Sequence, residues 1–241
     1  MAAFSLAVCP HDTVRNSEGW YRFVQFLAQK LGDNVSFKLA LDFADFHEHF
    51  SSSDIVYANP SDGVQLLDSH GYSALVRPVG TYDEALLLAG PDGPKPDLSV
   101  LAGARLATIT RLLPTKIAIH ELKAQGISPG ELVNCDSWLS VVRSVWGGDT
   151  PYGIIYRDSY QDLSEQGKAM VQVMFETDCR CAFHMICVSP KLAEHAAGLR
   201  DALITMGDDA LGKEVLIDMK LPGWQPVTSE ELEVMRQMLT S

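Results

Sequence analysis

Apolar and polar positions alternate along this chain in two periods, and the switches between them predict its elements. Residues 4–8 form a short apolar run that reads as a strand, and residues 9–15 read as a polar loop. Trp20, Phe23, Val24, Leu27 and Leu31 then recur at helical spacing until Gly32 stops them. Residues 35–41 alternate like a second strand, and residues 54–58 are a short buried one. Pro60 opens a helix that Gly71 ends, and residues 73–79 form the next strand. Strand–helix–strand repetition of this kind predicts an α/β fold with mainly parallel sheets and helices on both faces.

The stretch GPDGPKPD at 90–97 is the densest run of turn formers in the chain and marks a surface loop. After it the pattern begins again. Strands are expected at 105–109, 132–133, 152–156, 169–176 and 181–188, with helices at 114–125 and 138–146. Ser189 and Pro190 look like the cap and first position of a further helix, and Ser229 like the cap of a last one. Two segments echo each other: IVYANPSD at 55–62 and IIYRDSYQ at 154–161. Each is a buried strand that ends in Tyr and turns into a helix. Parallel sheets bind ligands beyond such strand ends, where turn amides and helix N-termini are available, so the echo predicts two lobes facing one cleft.

Composition narrows the function. The 241 residues carry a net charge of −12, which argues against a surface built for nucleic acid but not against one small anion in a local pocket. No apolar stretch is long enough to span a membrane, and the short apolar start has no basic leader. Five cysteines at irregular spacing (Cys9, Cys135, Cys179, Cys181 and Cys187) argue against a disulfide framework. Free cysteines and the missing leader place the chain as given in the cytoplasm, or in the periplasm if a signal has been removed. The sequence has no Gly-x-Gly-x-x-Gly, Walker loop or Gly-x-Ser-x-Gly elbow. No cofactor or metal is assigned: HEH at 47–49 lacks the i, i+4 histidine pair, and Cys179-x-Cys181-x-x-His184 is better explained by burial of small apolar thiols. Four polar turns follow four expected strands, namely PHDT at 10–13, YANPS at 57–61, TITR at 108–111 and YRD at 156–158. They supply hydroxyls, helix-start amides, Arg and His, which suit an oxyanion. The same residues also serve as ordinary caps.

These segments resemble the phosphate/phosphite/phosphonate substrate-binding proteins of ABC transporters, the PhnD-like branch with the type II periplasmic-binding-protein fold. The resemblance rests on SDIVYANP at 53–60, HGY at 70–72, VRPVG at 76–80, LSVLAGARLAT at 98–108, Leu113-Pro114, GIIY at 153–156 and HMICVSP at 184–190. It implies a lobe formed by 1–82 plus 176–241 and a second lobe formed by 83–175. Strands near 82–88 and 170–175 would cross between them, and a cleft between the lobes would close on a ligand. Tyr57 falls where the family has a Tyr at the end of its third strand. Thr108 and Thr110 fall at its phosphonyl-holding Ser/Thr turn, and Tyr156 and Asp158 at the far-lobe strand end. The family's Ser-Ser-Thr-Ser-Gly-like turn reads Thr-Ile-Thr-Arg here, so Arg111 would serve as a charged donor. His11 and Asn59 complete the expected ligand set.

The expected function is thus non-enzymatic capture of a small oxyanion, for transport with an ABC permease or for sensing with a signalling partner. One alternative is an enzyme on the same scaffold, of the menaquinone- or thiamine-precursor-synthesis kind, using Cys9 and His11. The other is an intracellular effector-sensing module.

Overall fold

The structure is a computed structural model that describes residues 4–92, 95 and 97–240. Met1–Ala3 at the apolar start, and Gly93, Pro94 and Pro96 in the turn-rich stretch, lie outside the described residues, as does Ser241. The chain divides into two compact units. Unit 1 runs to Thr81 and resumes over Phe183–Glu233, while unit 2 takes Tyr82–Ala182 and the chain from Val234 onward. Residue 82, residues 176–182 and the chain from Val234 onward, all expected in the first lobe, group with unit 2.

Unit 1 begins with β1 (Phe4–Val8), α1 (Pro10–Leu31) and β2 (Val35–Lys38). Residues 10–15, expected in the polar loop 9–15, are helical, because Pro10 starts α1 right after Cys9, which occupies the N-cap position. Asn16 departs from helical geometry, its Oδ1 accepts from the Gly19 amide at 3.0 Å, and its Nδ2 donates to Asp218 O at 2.7 Å. A side-chain cap therefore sits inside the helix and splits a polar first part from the amphipathic second part that the sequence reveals. A short helix α2 (Phe43–His49) follows, capped by Asp42, then β3 (Ile55–Ala58), α3 (Pro60–His70) and β4 (Ser73–Pro78).

Unit 2 contains β5 (Ala85–Ala89), β6 (Arg105–Thr108), α4 (Leu113–Ala124), β7 (Glu131–Asn134), α5 (Trp138–Trp146) and β8 (Tyr152–Tyr156). Two short helices, α6 (Arg157–Gln161) and α7 (Glu165–Ala169), precede β9 (Gln172–Glu176). Its five strands are ordered β7-β6-β8-β5-β9. β6 lies parallel to β7 and β8, while β5 lies antiparallel to β8 and β9. Leu88, Val142 and Ile155 pack its main apolar cluster.

The chain re-enters unit 1 with β10 (Met185–Val188), which pairs antiparallel with β3 on one side and β4 on the other. Helices α8 (Ala196–Ile204) and α9 (Ala210–Met219) and strand β11 (Trp224–Pro226) complete a sheet ordered β11-β4-β10-β3-β1-β2. The α/β class is as expected, but both sheets are mixed, since short buried runs such as Ile55–Ala58 and Met185–Val188 do not encode direction. Pro190 opens a 3-10 turn, and the Ser189 side chain makes no cap hydrogen bond. The last helix, α10 (Ser229–Leu239), is capped one residue earlier than expected. Thr228 Oγ1 accepts from the Glu231 amide at 3.2 Å and Glu231 Oε2 accepts from the Thr228 amide at 2.9 Å, a capping box. The core of unit 1 gathers Trp20, Phe23, Leu27, Tyr57, Ile186 and Trp224 between sheet and helices, each contributing about 1.5–3 kcal/mol by burial.

Two glycines test this packing in opposite directions. A Cβ on Gly212, in the first turn of α9, would run into the main-chain carbonyl of Met206, whereas one on Gly198, in α8, would meet nothing. Gly212→Ala is expected to destabilise the protein by about 1–3 kcal/mol and Gly198→Ala to stabilise it by about 0.5–1 kcal/mol. Urea denaturation midpoints read both, and equal shifts would contradict this packing.

Candidate functional site

In unit 1 the parallel strands β1 and β3 end in register, Val8 opposite Tyr57, and the Cys9 amide donates to Tyr57 O at 2.9 Å. The chain must then turn, and both exits become helices. Cys9 O accepts from the amides of Asp12 and Thr13, which starts α1. Asn59 caps α3: its Oδ1 accepts from the Asp62 amide at 3.0 Å, and its Nδ2 donates to Asp62 Oδ2 at 2.5 Å. Asp62 is buried, and its Oδ1 lies 2.9 Å from His47 Nε2. His184, just ahead of β10, places Nδ1 2.9 Å from Asp12 Oδ2.

These contacts assign duties to three predicted ligand residues. Tyr57 is a core residue, with its ring centroid 4.6 Å from that of Trp20, 6.0 Å from Trp224 and 5.3 Å from His184. Asn59 is a helix cap. The His11 ring stands edge-on to Phe43 at 5.0 Å. Cys9 does not suit the nucleophile role considered for it. Its side chain is wholly buried, and burial first, then the nearby Asp12 carboxylate, pushes the thiol well above its ordinary range. An activated cysteine needs the reverse environment.

Unit 2 repeats the arrangement. β6 and β8 are parallel neighbours, with Ala107 opposite Gly153, so Thr108 and Tyr156 close adjacent strand ends. Thr108 is fully buried, and its hydroxyl shares a 2.7 Å hydrogen bond with Thr115. In this structure Thr108, expected to face a ligand, pins the turn to α4. Thr110 and Arg111 follow on the surface. Thr110 Oγ1 donates to Asn134 Oδ1 at 2.8 Å, and Arg111 makes no hydrogen bond or ion pair among the described residues. Leu112, the cap position of α4, supplies no side-chain acceptor. At the β8 end, Tyr156 Oη donates to Asp83 Oδ1 at 2.6 Å, and Asp158 lies 3.6 Å from Arg157 Nε. Arg157 also donates to Tyr82 O at 2.7 Å.

Sequence reasoning missed the partners of these residues. Asp12 meets His184, and His47 meets Asp62, only in the folded chain, and Asp83 meets Tyr156 beside the paired strands β5 and β8. It also read all five cysteines as free, whereas Cys179 and Cys181 are joined in a disulfide and Cys9, Cys135 and Cys187 are not. A turn at Arg180, which has φ of 50°, brings the pair together.

Glu84, beside this bridge, is buried, accepts from the Thr177 hydroxyl, and accepts from the Arg180 amide at 3.1 Å. Burial outweighs those bonds and raises its carboxyl above the ordinary 4.5. The folded state then holds this proton more tightly than the unfolded chain. Its contribution is most favourable below about pH 4.5 and declines as pH rises through the folded value. Glu84→Gln removes that decline, so melting temperatures across this range should shift in favour of the variant towards neutral pH. A variant that loses ground as pH rises would contradict the assignment.

The family model described as ABC transporter, phosphonate, periplasmic substrate-binding protein matches residues 6–232. No curated protein sequence matches this chain. Among solved structures, a Xanthomonas citri protein bound to ATP aligns with a TM-score of 0.68 at 16% identity, covering 98% of this chain and 95% of the other. PhnD1 of Prochlorococcus marinus in complex with methylphosphonate aligns at 0.66 and 12% identity, with 98% and 96% covered. The periplasmic aliphatic sulphonate binding protein of Escherichia coli aligns at 0.67 and 13% identity, with 98% and 85% covered. The fold is that of these type II binding proteins. Among the described residues, no helix is long and apolar enough to cross a membrane.

Proposed function

We propose, for a chain that belongs to the family of periplasmic substrate-binding proteins of phosphonate ABC transporters, that it captures a small oxyanion of phosphate, phosphite or phosphonate type and hands it to a permease. The family is one of transport proteins, not of enzymes. One observation carries the reading: Arg111 is an exposed guanidinium with no partner among the described residues, placed in the turn that opens α4. A planar donor beside the N-terminal amides of a helix matches a tetrahedral anion in both charge and hydrogen-bond geometry. Thr110 adds a hydroxyl to the same turn. At the neighbouring strand end, Tyr156 and Asp158 would hold the rest of the ligand, Asp158 suiting an amine. The relatives whose descriptions name methylphosphonate and aliphatic sulphonate support a ligand of this class.

A thermal-shift and calorimetric panel of phosphate, phosphite, methylphosphonate, aminoethylphosphonate and sulfate tests the proposal. A true ligand at a hundred times its dissociation constant should stabilise the protein by about 2.7 kcal/mol. Arg111→Ala should then weaken binding roughly tenfold to a hundredfold, the worth of a charge-assisted hydrogen bond, and Arg111→Lys should restore only part of it. A panel without any shift, or an Arg111→Ala variant that binds like the parent, sinks the reading.

The proposed place of work is the periplasm, to which the Cys179–Cys181 bridge is suited because disulfides persist in oxidising compartments. Protein recovered from that compartment, denatured without reductant and alkylated, should expose the thiols of Cys9, Cys135 and Cys187 and no others among the described residues. Alkylation of all five cysteines would remove this support.

A further inference from the structure

The oxyanion reading leaves the polar cluster at the strand ends of unit 1 without a task. There the Cys9 thiol, an Asp12 carboxylate oxygen and a His184 ring nitrogen all lie within 4.8 Å of one another. We propose that Cys9, Asp12 and His184 form a binding site for a divalent transition-metal ion of the Zn2+ class.

The donor set makes the first argument. Sulfur, imidazole nitrogen and carboxylate oxygen together select zinc and its neighbours, whereas Mg2+ and Ca2+ take oxygen donors. The second argument is that the three are held in place before any ion arrives. Cys9 is fixed by the hydrogen bond its amide donates to Tyr57 O at 2.9 Å, and Asp12 by the one its amide donates to Cys9 O at 3.0 Å. His184 directly precedes β10, whose pairing of Met185 with Ala58 and Ile186 with Tyr57 sets its position, and its ring packs edge-on against Tyr57.

Electrostatics supplies the third. Asp12 Oδ2 is buried and makes no hydrogen bond, although His184 Nδ1 is only 2.9 Å away. The distance is that of an ion pair and the alignment is not that of a hydrogen bond, so the oxygen keeps acceptor capacity that a cation would use. Binding takes the proton from Cys9, forms the sulfur–metal bond and releases one H+ to solvent, so affinity must fall as pH falls. The side chains of Asp12 and His184 are 25% and 15% exposed, so the cluster is not sealed from solvent.

The site is tested with metal alone, independently of the oxyanion reading. Full-length protein stripped with a chelator is titrated with Co2+ and then with Zn2+, in buffer free of phosphate and phosphonate. Expected are one Co2+ per chain, a sulfur-to-cobalt charge-transfer band in the near ultraviolet, its loss on adding Zn2+, and a rise in melting temperature with Zn2+. Cys9→Ala should abolish the band, and His184→Gln and Asp12→Asn should each weaken binding by more than about tenfold, the lower bound seen for outer-shell groups. Cys135→Ser should change nothing. Because Cys9 is buried, His184→Gln is the decisive variant, and its far-ultraviolet circular dichroism should match the parent. The proposal is overturned if no band appears. It is equally overturned if metal binding survives all three substitutions, or disappears with Glu48→Ala, which would place it on the exposed Asp45, Glu48 and His49 group.

Discussion

Both candidate sites in this chain depend on what happens to a parallel strand pair at its carboxyl edge. A backbone leaving β1 beside β3, or β6 beside β8, carries amides and carbonyls that the sheet no longer satisfies. In both units a turn into a helix satisfies them. Cys9 O, Asn59 Oδ1 and the Thr108–Thr115 pair all belong to that closure. The Cys9 thiol and residues two or three places further on, such as Asp12, Thr110 and Arg111, keep side-chain groups that this closure does not use.

The two edges carry different electrostatics. The turn of unit 2 displays Arg111 and hydroxyls, and so suits an anion. The cluster of unit 1 is built from Cys9, Asp12 and His184, and so suits a cation. The net charge of −12 averages over both and predicts neither.

The α/β class and most strands were legible because buried strands and amphipathic helices differ in period. The helix 138–146 and the strand 152–156 come out with their observed bounds. Direction was not legible: the apolar run of β10 looks like that of β3, yet the two are antiparallel. Nor was the first part of α1, whose polar residues are helical because Pro10 and the cap at Asn16 make them so. At the candidate sites, residue types were legible but assignments were not. Thr108 and Thr110 look alike in sequence, and only packing commits one to the core and leaves the other at the surface. The Asp12–His184 pair joins residues from distant parts of the chain, which no spacing rule reaches.

The placement of β10 between β3 and β4 also sets an order of events during synthesis. β3 and β4 are not neighbours in the sheet, so no strand pairing links them until residues 185–188 have left the ribosome. By then the segment 82–182, which supplies every strand of the other sheet, is complete and can pair its own strands. The middle of this chain is therefore free to fold while its beginning waits, and the apolar edges of β3 and β4 stay exposed in the interval. Those edges are where a nascent chain of this topology is open to mispairing and where a holding chaperone would bind.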